Sequence, residues 1–255
     1  MVSQSGFHFS KDERGVALIE IDTQGINILG SQQIDELTKL FETFSADQDA
    51  RCVLLTSRHP RVFIGGADIK EMADFDPSQA RTFISALHRL CEAIRFAPLP
   101  VVACIDGWCL GAGVEIAAAC DIRIASRSAM FAMPEVRLGI PSVVHAALLP
   151  GLIGSGRTRW WLLTGDQINA EKAEFWGLIN TVTEPGDLSS AVSQTVDSLV
   201  AATVDALRVQ KTLLNAWDNA LVDDATRLSI GPFGQAFETP EPIEAMTRFL
   251  TRKHG

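Results

Sequence analysis

The sequence predicts an α/β chain with one core domain and a helical C-terminal extension. Three observations point there. Short apolar runs rich in Val and Ile recur through the first half of the chain, at Val16–Ile21, Cys52–Thr56, Val101–Ile105 and Ile122–Ala125. From Val143 onward the pattern turns almost entirely helical. No Gly-, Ser- or Pro-rich linker separates the halves, so both belong to one body.

In chain order, Phe7-His8-Phe9 and Val16–Ile21 read as strands. Ser31 is placed to cap a helix through Phe44, with Ile34, Leu37, Leu40 and Phe41 on one face. Cys52–Thr56 is a short buried strand, and Phe63-Ile64 a brief extended piece before Gly65-Gly66. A second helix spans Ser78–Phe96 and is stopped by Pro98 and Pro100. Val101–Ile105 is a strand, followed by the glycine turn and helix around Glu115, then by strands at Ile122–Ala125 and Met130–Ala132. Helices are expected at 143–149, 155–163, 170–176, 187–201 and 204–217, with a last one ending near Arg252. The core is expected over 1–190 and the helical region over 191–255.

Composition narrows the class. Of 255 residues, 47% are hydrophobic, enough for a sizeable core and further burial between subunits. The net charge of −9 argues against a nucleic-acid-coating surface. The cysteines at 52, 91, 104, 109 and 120 form no CxxC pair and no Cys/His metal spacing, which fits reduced core thiols. The apolar region Leu99–Ala125 is interrupted by Asp106, Glu115 and Asp121, so no membrane span is expected. The N-terminus lacks a signal or transit pattern and Arg252-Lys253-His254-Gly255 is not a peroxisomal tripeptide, so a soluble, cytoplasmic protein is expected.

The chemistry concentrates around two glycine turns. In Leu110-Gly111-Ala112-Gly113-Val114-Glu115 a turn runs into an apolar helix that carries one carboxylate, costly there unless it is solvated, hydrogen-bonded or used. A second acid, Glu135, follows Met133-Pro134 between apolar neighbours. In Phe63-Ile64-Gly65-Gly66-Ala67-Asp68-Ile69-Lys70 the paired glycines allow close backbone approach and leave the Ala67 N–H free to point into a cleft. At a helix start the first N–H groups lack partners, so Ala67 and Ala112 together form a candidate oxyanion site. Ile116 occupies the third glycine position of a GxGxxG motif, so dinucleotide binding is not supported. Walker A, HExxH and GxSxG motifs are missing, and the chain has no tyrosine to serve as a general acid.

These residues resemble the enoyl-CoA hydratase/isomerase, or crotonase, superfamily. The likeness runs through Gly65–Lys70, Leu110–Glu115, Ala119-Cys120-Asp121-Ile122, Phe131–Glu135 with Leu138-Gly139, and then Leu163-Thr164-Gly165, Ala170, Ala173 and Gly177-Leu178-Ile179. It implies a crotonase-like ββα superhelix with a helical C-terminal trimerisation region, and an acyl-CoA substrate in fatty acid metabolism. It also implies catalytic roles for Glu115 and Glu135 around a water added syn to a trans-2-enoyl thioester, with the thioester oxygen held by the N–H groups of Ala67 and Ala112. Ile64, Gly65, Gly66, Asp68, Ile69, Gly111, Ser142 and Phe233 are the implied substrate contacts, with Arg252 or Lys253 near the phosphates. No metal or redox cofactor is expected, because CoA enters with the substrate. The expected assembly is a homotrimer or a dimer of trimers. One departure stands out: after Gly139-Ile140-Pro141, where many hydratases have a Gly-rich run, this chain continues Ser142-Val143-Val144-His145-Ala146-Ala147-Leu148-Leu149-Pro150.

Other uses of the same frame remain open: Δ3-Δ2-enoyl-CoA isomerisation, which needs one base at Glu135, other thioester lyase or hydrolase chemistry, and a non-catalytic acyl-CoA-binding subunit. Asp68 is expected to cap a helix, Asp121 to bond backbone at a turn, and Lys70 and Glu71 to form a solvated helix face. His145 is expected on a surface or helix face, and Trp160, Trp161 and Trp176 in core or interface.

Overall fold

The computed structural model describes residues 2–4 and 6–252. Its strands in chain order are β1 (Val2–Gln4), β2 (Phe7–Lys11), β3 (Val16–Ile21), β4 (Ile28–Leu29), β5 (Cys52–Ser57), β6 (Val62–Ile64) and β7 (Gly66–Ala67). They continue with β8 (Val101–Ile105), β9 (Trp108–Leu110), β10 (Ile122–Ser126), β11 (Met130–Ala132), β12 (Gln167–Asn169) and β13 (Thr181–Thr183). Among the described residues, one sheet has the order β1-β2-β3-β5-β8-β10-β13 and a second β12-β11-β9-β6, while β4 and β7 pair separately. From β3 to β13 the first sheet is parallel.

The chain repeats a strand in the first sheet, a short strand outside it and a helix. This gives β3-β4 with the helix Ser31–Ala46, β5-β6 with Pro77–Arg95, and β8-β9 with Ala112–Ala119. This is the expected ββα spiral. Its helices pack one face of the large sheet through Ile34, Leu37, Phe41, Leu87, Leu90, Ile94 and Ile116, against Ala17, Ile19, Val53, Leu55 and Ala103. The opposite face holds Val16, Cys52, Val102 and Ile124 under Leu188, Val192 and Val196 of the helix Leu188–Ala201. The boundary expected at 190/191 falls inside this last helix, which packs on the core.

Several local expectations are corrected. Gly30, not Ser31, is the N-cap of the helix Ser31–Ala46. Its N-terminus is closed by Glu71, which accepts from the Ser31 N–H (2.9 Å) and hydroxyl, so Glu71 is no solvated face. The segment 143–149 is a 3-10 turn (Val144–Leu148) followed by a new helix (Leu149–Ile153), because Pro150 is tolerated only in a first turn. The last helix, Glu241–Arg252, ends as expected, but Val222–Ala236 is a further helix before it, with Pro240 between them. The pairs β4 and β7 and the strands β9, β12 and β13 are too short to show a period. The five cysteines are free, as expected.

Buried charges join the regions. Lys211, in the helix Val204–Trp217, donates to the carbonyls of Ile94 (3.2 Å) and Leu99 (2.8 Å) and to Asp121 (2.8 Å). Asp121 also accepts from the Val101 N–H (2.6 Å), bonding backbone as expected. Arg123 donates to the carbonyls of Ala117, Cys120 (2.5 Å) and Leu178 (2.6 Å), placing a cation at the carbonyl end of the Glu115 helix. Among the described residues no helix is long and apolar enough to cross a membrane.

Candidate active site

Three neighbouring parallel strands end at one edge and deliver the candidate groups. β6 pairs with β9 and β9 with β11, all parallel. β6 leads into Gly65-Gly66-Ala67, β9 into Gly111-Ala112, and β11 through Met133-Pro134 into Glu135. Gly111 extends the ladder, donating its N–H to the Ala132 carbonyl (2.9 Å).

The glycines are required by close approach. Gly111 has φ 51°, and a Cβ there would lie 2.7 Å from Glu135 Oε1, so the Glu135 carboxylate rests directly over this turn. A Cβ on Gly113 would lie 2.8 Å from Ile64 Cβ and 2.9 Å from the Ile64 carbonyl oxygen, so the Glu115 helix packs its backbone against the end of β6. Gly66, at φ 109°, stands beside the Leu110 carbonyl, while a Cβ on Gly65 would collide with the Ile26 carbonyl. The two turns therefore lie side by side with almost nothing between them.

Both alanine N–H groups are left over by the hydrogen-bonding pattern. Val114 and Glu115 donate to the Gly111 carbonyl (2.8 and 3.2 Å), and Ala112 precedes them, in the turn where helical N–H groups have no intrahelical acceptor. Asp68 donates its N–H to Leu29 of β4 (3.0 Å), and successive groups of an extended segment alternate sides, so the Ala67 N–H points away from β4. Asp68 then caps the short helix Ile69–Met72, accepting from the N–H groups of Lys70 (2.9 Å) and Glu71 (3.3 Å), as expected. Ile64 is fully buried and Ile69 exposed.

The two acids live in different surroundings. Every residue of the helix Ala112–Ala119 is buried, and Glu115 is only 5% exposed. Its carboxylate accepts one hydrogen bond, from the Ala146 N–H (3.2 Å). Burial raises its pKa from 4.5 to about 8; the Ala146 N–H pulls the other way, and the charge of nearby Glu135 adds to the rise. Glu135 opens the 3-10 turn Glu135–Leu138 and is half-buried, with Oε2 accepting from the Ser142 hydroxyl (2.8 Å). Ser142 thus positions a carboxylate.

The departure from the Gly-rich run carries a backbone signature. Val144, a β-branched residue, takes φ 37°, a costly conformation, immediately before His145 and the Ala146 that holds Glu115. His145 is 5% exposed and bonds Glu92, which corrects its expected surface position.

Sequence reasoning missed Asn27. It is fully buried at φ 55°. Its side chain accepts from the Thr23 N–H (3.0 Å) and donates to Ser57 Oγ (2.7 Å) and to the carbonyls of Val62 (3.3 Å) and Phe63 (3.0 Å). Its own carbonyl accepts from the Gly65 N–H (3.2 Å), so it holds the chain leading to Ala67. An Asn in a short polar loop is its only signal in the sequence.

The match to known proteins covers this whole arrangement. The model of the family described as enoyl-CoA hydratase/isomerase matches residues 11–254. The chain belongs to the enoyl-CoA hydratase/isomerase family. It is 31% identical over 243 residues to the short-chain-enoyl-CoA hydratase of Clostridium acetobutylicum, covering 94% of this chain and 93% of that one. It is 31% identical over 244 residues to the crotonyl-CoA hydratase of Syntrophomonas wolfei, covering 95% and 94%. The crystal structure of an enoyl-CoA hydratase from Bacillus anthracis superposes with a TM-score of 0.93 at 25% identity, over 97% of each chain.

Within the family frame, the structure brings together Ile64, Gly65, Gly66, Ala67, Asp68, Ile69, Gly111, Ala112, Glu115, Glu135 and Ser142 from one sheet edge and the segments beside it. It does not bring Phe233 there: that ring is 71% exposed on the helix Val222–Ala236 and packs on Phe237. Lys253 and the side chain of Arg252 lie outside the described residues.

Proposed function

We propose that this chain hydrates trans-2-enoyl-CoA thioesters to 3-hydroxyacyl-CoA, adding water syn across the double bond. The observation that carries the reading is the acid pair: a buried Glu115 with a raised pKa and a Glu135 resting over Gly111, beside the unpaired N–H of Ala112. The hydratase names of two relatives of matching length support it.

The thioester carbonyl oxygen accepts from the N–H groups of Ala67 and Ala112, which stabilise the enolate-like charge as it develops; such donors are worth about 3–4 kcal/mol each. A water lies between the two carboxyl groups. Glu115 takes one of its protons as the water oxygen bonds to C3, and Glu135 gives its own proton to C2. Water is thereby added, and the proton returns from Glu115 to Glu135 for the next cycle. In the free chain burial keeps the shared proton on Glu115. Once the acyl group is bound, the bridging water carries that proton across to Glu135 before the addition begins. Gly65, Gly66, Asp68, Ile69 and Gly111 form the wall along which the acyl-CoA lies, while Ile64, expected as a contact, is fully buried behind it. CoA arrives with the substrate and no separate cofactor takes part.

Copies of the chain assemble as a trimer or a dimer of trimers in this reading. The apolar residues Leu221, Val222, Leu228, Ile230 and Phe233, exposed in the single chain, supply the contact surface. Phe233 reaches an acyl site only across such a contact.

The second reading, Δ3-Δ2-enoyl-CoA isomerisation, draws on the same asymmetry, because a proton held on buried Glu115 leaves the base's role to Glu135. Following the enoyl-thioester absorbance with crotonyl-CoA separates the two. Hydration predicts its loss with a 3-hydroxyacyl-CoA product, and falls of about 10²–10⁴-fold in Glu115→Gln and Glu135→Gln alike. Turnover of a 3-enoyl-CoA that survives Glu115→Gln and is lost in Glu135→Gln establishes the isomerase instead. Near-full hydration in either variant removes that glutamate from the mechanism.

A further inference from the structure

On the far side of the turn that holds Glu115, three side chains unrelated to the acid pair converge. The helix Pro77–Arg95 carries His88 and Glu92, four residues apart and so on one face. His145 comes to them from the 3-10 turn Val144–Leu148. Its Nε2 lies 3.0 Å from Glu92 Oε1, and its ring is 5.5 Å from that of His88, tilted by 31°. One donor atom from each of the three lies within 4.8 Å of the others. His145 is 5% exposed, and Nε2 is the ring atom it presents to Glu92, its Nδ1 being buried without a hydrogen-bond partner.

We infer that His88, Glu92 and His145 form a binding site for one divalent transition-metal ion of the zinc class, separate from the acid pair. The donor chemistry selects the ion. Two imidazoles and one carboxylate suit a borderline cation such as Zn²⁺, with a water in the fourth position, and suit Ca²⁺ or Mg²⁺ poorly because those take oxygen ligands. Bonds of about 2.0–2.1 Å in a tetrahedral site put donor atoms roughly 3.3 Å apart. The His145–Glu92 pair is already near that separation, and the exposed His88 can close the rest by rotating.

Access and charge fit as well. Glu92 lines a surface groove with Glu42, Ser45 and Arg89, and His88 is exposed, so the cluster is reached from solvent. The nearby Arg95 guanidinium is paired with Asp218 (2.9 Å), which offsets its repulsion. The sequence hides the site because His145 lies 53 residues from Glu92. Its consequence is local: His145 sits between Val144, at φ 37°, and Ala146, whose N–H holds Glu115, so the ion clamps the turn that positions that carboxyl.

The test is titration of the chelator-treated full chain with Zn²⁺ by calorimetry, and with Co²⁺ by visible absorbance. We expect one ion per chain, the intense bands of four-coordinate cobalt, and a Tm raised by Zn²⁺. His88→Ala, at an exposed position that leaves the fold intact, should weaken binding by about 10–100-fold and abolish the Tm shift, with Glu92→Gln behaving alike. Failure to saturate at one ion per chain, or equal affinity in wild type and His88→Ala, overturns the inference. The readouts need no turnover, so they stand or fall independently of the hydratase reading.

Discussion

Every residue of the helix Ala112–Ala119 is buried, whereas the helix Val222–Ala236 buries none. The first is apolar apart from Glu115 and surrounded by its own chain, with its termini settled by Gly111 and by Arg123. The second packs chiefly on the helix Val204–Trp217 and turns Leu228, Ile230 and Phe233 outward. Close packing fixes positions to a fraction of an ångström, and an acid/base site needs that precision. The spiral therefore completes the acid pair and both N–H donors within one chain, while the C-terminal helices offer apolar area that only another surface can cover.

Substitutions can break or sharpen this contrast. Outside the two glutamates, the largest effect is expected at Gly111. Alanine there forces φ 51° on a residue with a side chain and brings its Cβ to 2.7 Å from Glu135 Oε1, so both the carboxylate and the Ala112 N–H shift. Turnover of crotonyl-CoA should fall on the order of 10²-fold with the fold retained, as judged by circular dichroism. An unchanged rate would show that this turn does not set the site.

Asn27→Ala should come next. It strips the Val62 and Phe63 carbonyls of a donor and the Thr23 N–H of its acceptor, all in buried surroundings. A loss of about 3 kcal/mol is expected in urea unfolding, in line with about 1–3 kcal/mol per orphaned buried group. A loss below about 1 kcal/mol would deny Asn27 its positioning role.

Phe233→Ser should do least to a single chain, within about 0.5 kcal/mol of stability, because the ring is 71% exposed. Its effect belongs to association, read by sedimentation velocity as a shift toward smaller species. A marked loss of monomer stability with unchanged assembly would place Phe233 in the core of its own chain.

What the sequence disclosed follows the reach of each interaction. The glycine turns and Glu115 were legible because the turn, the helix start and the carboxylate fall within a few neighbouring residues. Glu135 stood out as an acid in an apolar run, and the amphipathic faces of Ser31–Ala46 and Pro77–Arg95 follow from local periodicity. Asn27, Lys211 and the pairing of Glu71 with Ser31 were not legible. Their partners lie 35, 90 and 40 residues away, and a polar residue in isolation does not reveal which backbone groups it will serve. The family resemblance makes Ser142 a substrate contact, and its bond to Glu135 emerges only when the 3-10 turn folds the chain back.

In the proposed reading, burial stores a proton on Glu115 at neutral pH, beside Glu135. An acid whose folded pKa is raised from 4.5 to about 8 contributes stability that is complete below about pH 4.5 and is lost as pH rises through about 8. The most direct measurement is an infrared difference titration of the full chain, comparing wild type with Glu115→Gln. A protonated-carboxyl band that persists at pH 7, disappears with a midpoint near 8 and is missing from the variant is the predicted result. A Glu115 band already gone by pH 6, titrating near 4.5, would contradict the account.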